Sequence, residues 1–466
     1  MKKIIYSILS IIFIAAIALA AIRWNVWFGN RPEAQYTISQ SITNVQLSFG
    51  ETANELFVSW RGKPDSTLLE ADAVKLIFER IDEERKVFIE DEGVSDFGGY
   101  GDFRDFRDFR DSKNSVDCRN ARESEGVGDC GDKVSNISNK ELINNKIESR
   151  ILTTSGGSAT YFWGKTQLEA GRYRYAIVAP DTISEWYETT VKDNYDEEFT
   201  ALILGDIQDK RATGTDTLIA ELASRYSPDF ILQLGDLIER PHQNFWQLYF
   251  DAFAPFCTTT PMIAVAGNHE YIKGWNKHIE ERFFYTFPYF LSNNPLYNHE
   301  LKHNPGSDPN SIIPSAATYK YDFGNVSLIL LDSNQPLLKL WQQRKWLRNA
   351  LQERTDKQYR IVAFHHPMHS AKGYFNNLFV RLFFRNIIND GNAQLVLSGH
   401  EHTLTHLTPE EKNNKYHQII SHFSAKDYSK AKGIPDRHYI IMQYNDKKMT
   451  LAIKNLKHET IKTISL

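Results

Sequence analysis

Cysteine is scarce. Three residues in 466 supply no disulfide framework, and their spacing lacks the paired pattern of a structural zinc site, so the fold rests on its apolar core. A strong net charge is missing as well: 54 basic against 58 acidic residues leave a formal −4, which generates no global field to recruit nucleic acid or anionic lipid. Any basic binding patch is local. Histidine is absent from the first half, because all 15 lie at or beyond His242; imidazole chemistry therefore belongs to the second half. Long apolar runs occur once, at the N-terminus, which excludes a multispanning protein. What is present is 41% hydrophobic, 13% aromatic and 24% charged, a composition that excludes disorder throughout and suggests roughly two or three domains.

Lys2 and Lys3 precede an apolar run from Ile4 to Ile22 interrupted only by Tyr6, Ser7 and Ser10, the charged and apolar regions of an export signal. Ala18-Leu19-Ala20 suits cleavage, whereas the length of the run approaches the ~20 residues of an uncleaved membrane anchor. Residues 1–22 are read as one or the other, and either places the body outside the cytoplasm: periplasmic, extracellular, or attached to the membrane by its N-terminus. In an oxidising compartment Cys118 and Cys130 could pair, while Cys257, near a strand, reads as a buried thiol.

Between 36 and 195 short segments alternate apolar and polar residues. Val45, Leu47 and Phe49 form one, Leu56, Val58 and Trp60 the next, and Val74–Phe78 and Tyr173–Val178 follow. Period two means half-buried strands, and the expectation is a small antiparallel β-sandwich. From about 92 to 145 the pattern is broken by Gly, Asp, Arg, Ser and Asn and by the triplet Asp-Phe-Arg repeated at 102–110. This composition buries too little to offset its ordering entropy, which favours a flexible insertion over a partner-docking motif.

From 198 to 466 apolar runs alternate with helical spacing: strands at Phe199–Leu204, Phe230–Leu234, Met262–Val265, Val326–Leu331, Arg360–Phe364 and Leu395–Leu397, and helices at Asp216–Tyr226, Leu338–Arg354 and Asn376–Ile388. That grammar is a layered α/β domain. Tyr416–Ile420, His438–Tyr444 and Met449–Ile453 read as closing strands.

Five motifs sit just past these strands: Gly205-Asp206-Ile207-Gln208, Gly235-Asp236, Gly267-Asn268-His269-Glu270, Val362-Ala363-Phe364-His365, and Gly399-His400-Glu401-His402. A lone Gly-Asp after a strand is a common turn; five such motifs in series are not. They offer carboxylates, carboxamides and imidazoles and no thiolate, a ligand set suited to manganese, iron or zinc. Eight or so ligand bonds exceed the needs of one ion. Two divalent ions about 4 Å apart and sharing one carboxylate would use them all, and would hold a bridging hydroxide for attack at phosphorus.

The order Gly-Asp, Gly-Asp, Gly-Asn-His-Glu, Val-x-x-His, Gly-His-x-His resembles the calcineurin-like metallophosphoesterase superfamily over residues 198 to 455. Phe57-Val58-Ser59-Trp60 and Gly171-Arg172-Tyr173-Arg174-Tyr175 give the preceding sandwich a weaker similarity to the N-terminal domain of purple acid phosphatases. The resemblance implies a four-layer α/β/β/α metallophosphoesterase domain and hydrolysis of phosphate esters, with phosphomonoesters as the expected substrates. It further implies one ion on Asp206, Gln208, Asp236 and His402 and a second on Asp236, Asn268, His365 and His400, with Asp236 as bridge. His269 would be the nonligand imidazole that meets the phosphoryl oxygen or protonates the leaving group. His366, His369 and Arg240 are candidates for substrate contact, an ordinary salt bridge being the competing reading for Arg240.

Two departures stand out. The tyrosine that purple acid phosphatases carry three residues beyond the bridging aspartate is Glu239 here, which puts their colour and obligatory ferric ion in doubt. Gln208 occupies a position that is histidine in many members, and its harder oxygen leans that site toward manganese or ferrous iron. Phosphodiesters and nucleotide pyrophosphates are alternative substrates, and a noncatalytic adhesion or receptor module is the rival outside enzymology. No arginine-rich or aromatic stripe suits a long nucleic acid; a phosphorylated small molecule is the expected partner.

Overall fold

A computed structural model describes residues 2–50, 52–65, 74–81, 147–208, 214–291, 317–373, 377–423 and 437–466. The Asp-Phe-Arg insertion with Cys118 and Cys130, and residues 292–316 of the loop before the second sheet, lie outside the described residues. Six α-helices are described: α1 (Lys2–Trp27), α2 (Thr215–Arg225), α3 (Gln243–Cys257), α4 (Glu281–Thr286), α5 (Leu337–Gln352) and α6 (Asn377–Asp390).

The C-terminal half is an α/β/β/α stack. In the first sheet the strands Glu198–Leu204, Phe230–Gln233 and Met262–Ala264 run parallel, flanked by the antiparallel His438–Asn445, Lys448–Asn455 and Thr460–Ser465. In the second, Val326–Leu330, Tyr359–Ala363, Leu395–Ser398 and His417–Ile420 run parallel. Successive residues of a strand point to opposite faces, and here both faces are buried. Leu328, Leu330, Ile361, Ala363, Leu395 and Leu397 enter the main core, whereas Ile329, Leu331, Val362, Phe364 and Val396 join Leu340, Leu347, Val380, Phe384 and Ile388 of α5 and α6. Such double burial is why these strands read as continuous apolar runs.

The N-terminal strands Thr43–Phe49, Glu55–Gly62, Ser158–Gln167 and Ile147–Thr153 form one β-layer, and Lys75–Arg80, Gly171–Ala179, Thr182–Ile183 and Tyr187–Val191 the other. The first layer does not stop at its own edge: Ser48 pairs with Met262 in parallel register, so it continues the first sheet of the C-terminal half into ten strands. Half-burial, expected from the alternation, does not hold for the first two strands. Gln46, Ser48 and Ser59, on the polar face, are buried because that face packs against the segment around α4. Gln46 Nε2 and Ser59 Oγ both donate to the Thr286 carbonyl, at 3.2 and 3.1 Å, and Tyr285 stacks on Tyr161 and Trp163. These bonds make the burial of Gln46 and Ser59 tolerable, whereas the Ser48 hydroxyl is buried without a hydrogen-bond partner.

Between α1 and the first strand, residues 28–34 lie along the C-terminal half. Phe28 meets Trp275 with ring centroids 4.8 Å apart, and Asn30 exchanges two hydrogen bonds with the backbone of Lys273. Glu33 accepts the backbone N–H of Gln243, the first residue of α3, at 2.5 Å and pairs with Arg282 at 2.8 Å. A carboxylate on a helix N-terminus satisfies an orphan donor and opposes the helix dipole. Among the described residues no helix is long and apolar enough to cross a membrane; of α1, the side chains of residues 2–9, 12, 16 and 25–27 are outside the described set.

Candidate metal centre

Each candidate ligand follows the C-terminal end of a strand. Asp206, Asp236 and Asn268 follow the three parallel neighbours of the first sheet, and His365, His400 and His402 follow two parallel neighbours of the second. Parallel strands deliver their ends to the same side, where α/β sheets gather ligands. The turns are tight: Asp206, Asp236, His400 and His402 all hold positive φ, at 48°, 55°, 74° and 46°. Non-glycine residues adopt that region at a cost of about 1–3 kcal/mol each, and such strain concentrates at functional sites. At Gly235, φ is 86°, and a Cβ would meet His365 Nδ1 at 2.7 Å and the Gly267 Cα at 2.8 Å. A glycine is required there for two loops to touch.

The structure brings all seven expected ligands together. Asp236, His365 and His400 form one group and Asp206, Asp236 and His402 a second, the donor atoms within each group lying within 4.8 Å of one another. Asp236 belongs to both. Asn268 Oδ1 is 3.2 Å from His365 Nε2 and 2.9 Å from His400 Nδ1. Gln208 places its carboxamide 3.2 Å from Asp236 Oδ2. His402 Nε2 is 3.3 Å from Asp206 Oδ1.

Charge is concentrated and shielded from water. Burial works against the Asp236 carboxylate, yet the imidazoles of His365, His269 and His400 hold it well below the usual carboxylate range. Burial likewise opposes the charged form of His365, but Asp236 beside it raises the imidazole to about 9. His400 is pushed well below the ordinary histidine value by burial and by His365. With the imidazoles neutral, the buried carboxylates of Asp206 and Asp236 carry negative charge that a cation among them would compensate.

A second layer fixes the donors. His365 Nδ1 donates to the Leu234 carbonyl at 2.9 Å, which turns Nε2 inward. His269 Nδ1 donates to the Glu239 carbonyl at 2.5 Å while its backbone N–H donates to Asp236 Oδ1 at 2.9 Å. Glu239, at the tyrosine position, brings its carboxylate to within 4.0 Å of His269 Nδ1. Glu270 is completely buried and accepts four backbone N–H groups, from Gly267, Asp236, Leu237 and Ile238. Burial, with Asp236 nearby, raises its carboxyl to about 8. The sequence places Glu270 in a motif without revealing this task; its adjacency to the Asn-His pair was the signal.

Of the substrate candidates, Arg240 lines a cavity of about 460 Å³ shared with Asn268, His269, Arg31 and Lys273. His366 bonds Ser333 Oγ through Nδ1 and lies with its ring centroid 4.2 Å from that of His400. His369 faces elsewhere: its Nε2 meets Asn414 Oδ1 at 3.2 Å, and its charged neighbours are Arg381, Arg385 and Lys412. His242 is the residue before α3, and His406 pairs with His417 at 2.9 Å. The sequence did not single out Asp332, which accepts from Tyr271 and Gln335 at the edge of the site.

A pair of divalent ions fits these residues. Asp206 Oδ1 is buried and accepts no hydrogen bond, with only the His402 imidazole beside it, and an unsatisfied buried carboxylate oxygen calls for a cation. The donor set of carboxylate, imidazole and carboxamide oxygen matches manganese, iron or zinc.

Residues 199–404 match the family model described as calcineurin-like phosphoesterase. No curated protein matches the chain at a significant level. Among solved structures, a purple acid phosphatase from yellow lupin seeds superposes with a TM-score of 0.60 at 12% identity, covering 91% of this chain and 74% of that one. The structure of PhoD gives 0.51 at 12% identity, covering 93% and 90%. At such identities the likeness is one of fold. Together with the two carboxylate-imidazole groups on Asp236, the match identifies residues 199–404 as a calcineurin-like metallophosphoesterase domain carrying a metal-dependent phosphoesterase active site.

Proposed function

We propose that the protein hydrolyses phosphomonoesters with two divalent ions, manganese, iron or zinc, one on Asp206, Gln208, Asp236 and His402 and the other on Asp236, Asn268, His365 and His400. The observation that carries this reading is Asp236, a single buried carboxylate common to both ligand groups. Bound there, such ions supply Lewis acidity, lowering the pKa of water and neutralising phosphoryl charge. The chain contributes the rest. Because His269 Nδ1 keeps its hydrogen on the Glu239 carbonyl, it is the doubly protonated ring whose Nε2–H delivers a proton to the leaving oxygen, leaving a neutral imidazole. Arg240 meets the substrate from the wall of the 460 Å³ cavity, beside His269. His366, buried and held well below the ordinary histidine value by that burial, offers a neutral imidazole at the edge of the site.

The size of that cavity favours a second reading, cleavage of diesters or nucleotide pyrophosphates, whose leaving groups are larger. A metal-reconstituted panel of a monoester, a diester and a nucleoside diphosphate separates them. The first reading expects the highest kcat/KM for the monoester; a tenfold preference for either other class overturns it, and no hydrolysis of any class favours a noncatalytic module.

Export, with or without retention of an N-terminal anchor, belongs to the same proposal. It is supported by Lys2 and Lys3 ahead of the apolar run and by α1, whose Ile11, Phe13, Ile14, Ile17, Leu19 and Ile22 are exposed.

A further inference from the structure

Helices α5 and α6 pack on the outside of the second sheet with their inner residues buried, yet their outer face is not the polar surface that burial of one stripe predicts. Leu338, Leu382 and Trp341 are 67%, 63% and 51% exposed, and Leu337 and Leu378 join them. Five large apolar side chains on two neighbouring helices make a patch of the kind that marks an interaction site. The charges around it are mainly basic. Helix α5 contains Lys339, Arg344, Lys345 and Arg348 and no acidic residue, and α6 contributes Arg381 and Arg385 against Asp390. Among the described residues no ion pair holds any of these six cations. Arg344 sits over the rings of Trp341 on its own helix and Phe383 on α6, joining cations and aromatics across the two helices.

We propose that this α5–α6 face docks on an anionic lipid bilayer, its leucines and Trp341 entering the headgroup boundary while the lysines and arginines meet acidic headgroups. Basic, aromatic-bearing amphipathic surfaces bind in this way, and tryptophan is enriched at that depth. The charge complementarity selects an acidic lipid surface over an apolar protein groove, which would not require six unpaired cations. A cleft of about 260 Å³ opens beside the patch between Leu337, Phe379 and Lys277 and reaches His366. Lys277 also donates to the Asn334 carbonyl, and Trp275, in the same hairpin, carries the contact with Phe28 just past α1. Hence the turn of one short hairpin touches both the cleft beside the proposed docking face and the chain leaving α1. The docking rests on α5 and α6 and stands whether or not α1 crosses a membrane.

The test uses the full chain reconstituted with phosphatidylcholine vesicles or with vesicles containing phosphatidylglycerol, and lipids brominated at a shallow chain position as tryptophan quenchers. The quenched signal of the intact chain minus that of Trp341→Phe isolates Trp341, and Leu382→Trp adds a second reporter on α6. With phosphatidylglycerol both reporters are quenched, and quenching falls at least about twofold in phosphatidylcholine, in molar salt, or in a Lys345→Glu/Arg348→Glu/Arg381→Glu variant that keeps its melting midpoint. Equal, water-like signals from both reporters in anionic and neutral vesicles overturn the proposal. So does shielding that appears without lipid and grows with protein concentration, which assigns the face to a second copy of the chain.

Discussion

The carboxylate of Glu270 accepts the backbone N–H of Asp236 at 3.0 Å, so the residue shared by both metal groups is positioned by a neighbour that is not itself a ligand. Three further backbone N–H groups converge on the same carboxylate, and they tie the Gly235-Asp236 turn to the Gly267-Asn268-His269 turn. Glu270→Gln replaces one accepting oxygen by an N–H that faces other donors. Outer-shell changes of this kind cost about 10–100-fold in metal affinity. Competition titration with a chelator measures it, and unchanged affinity would show that the turn holds itself.

Gly235→Ala tests the packing of those turns. The new methyl would press on His365 Nδ1 and Gly267 at a left-handed φ, where strain alone costs about 1–3 kcal/mol. Lower thermal stability and weaker metal binding should appear together. A wild-type melting midpoint with full metal content would mean that the loops yield.

His269 touches Asp236 only through its backbone N–H and a 3.8 Å approach of Nε2. Its loss should therefore spare the ions and slow the reaction. For His269→Ala the expectation is a fall in kcat of about 10²–10⁴-fold with metal content unchanged, the range for a general acid. Elemental analysis alongside turnover decides it, and metal loss in step with activity would make His269 a ligand.

Glu33 ties the segment after α1 to the catalytic half. Burial would raise its carboxyl, but the Arg282 guanidinium holds it below the usual range. A depressed folded-state pKa stabilises the protein above the unfolded value, near 4.5, and that contribution disappears as pH falls through the folded value. Glu33→Ala should cost about 1.5–3 kcal/mol at neutral pH, because buried Arg282 loses one of its two carboxylate partners and keeps Glu280. The difference from wild type in denaturant unfolding should shrink below about pH 4. A difference that is constant from pH 7 to 3 would assign the effect to packing alone.

The candidate metal centre was legible because the residues that cluster there are encoded locally, each in a short motif at a strand end. Gly-Asp and Gly-His turns leave a mark in the sequence that survives without any knowledge of which strands are neighbours. The strands of the second sheet were legible for a related reason: Ile361, Val362, Ala363 and Phe364 are buried on both faces, which yields an unbroken apolar run. What was not legible depends on contacts between distant segments. Gln46 and Ser59 look like solvent-facing positions until the Thr286 carbonyl is placed over them. The parallel pairing of Ser48 with Met262, which fuses the sandwich layer to the catalytic sheet, has no local signature. Helix α3 was also missed, since Pro255 lies inside it and its N-terminus is capped by Glu33, some 210 residues away.

The sharing of Asp236 between two ions is tested most directly by counting metal in the purified, folded Asp236→Ala chain beside wild type. Two equivalents per chain in wild type and close to none in the variant, with the melting transition still cooperative, is the expected result. One equivalent retained by Asp236→Ala would contradict it, since one site would then stand without the bridge.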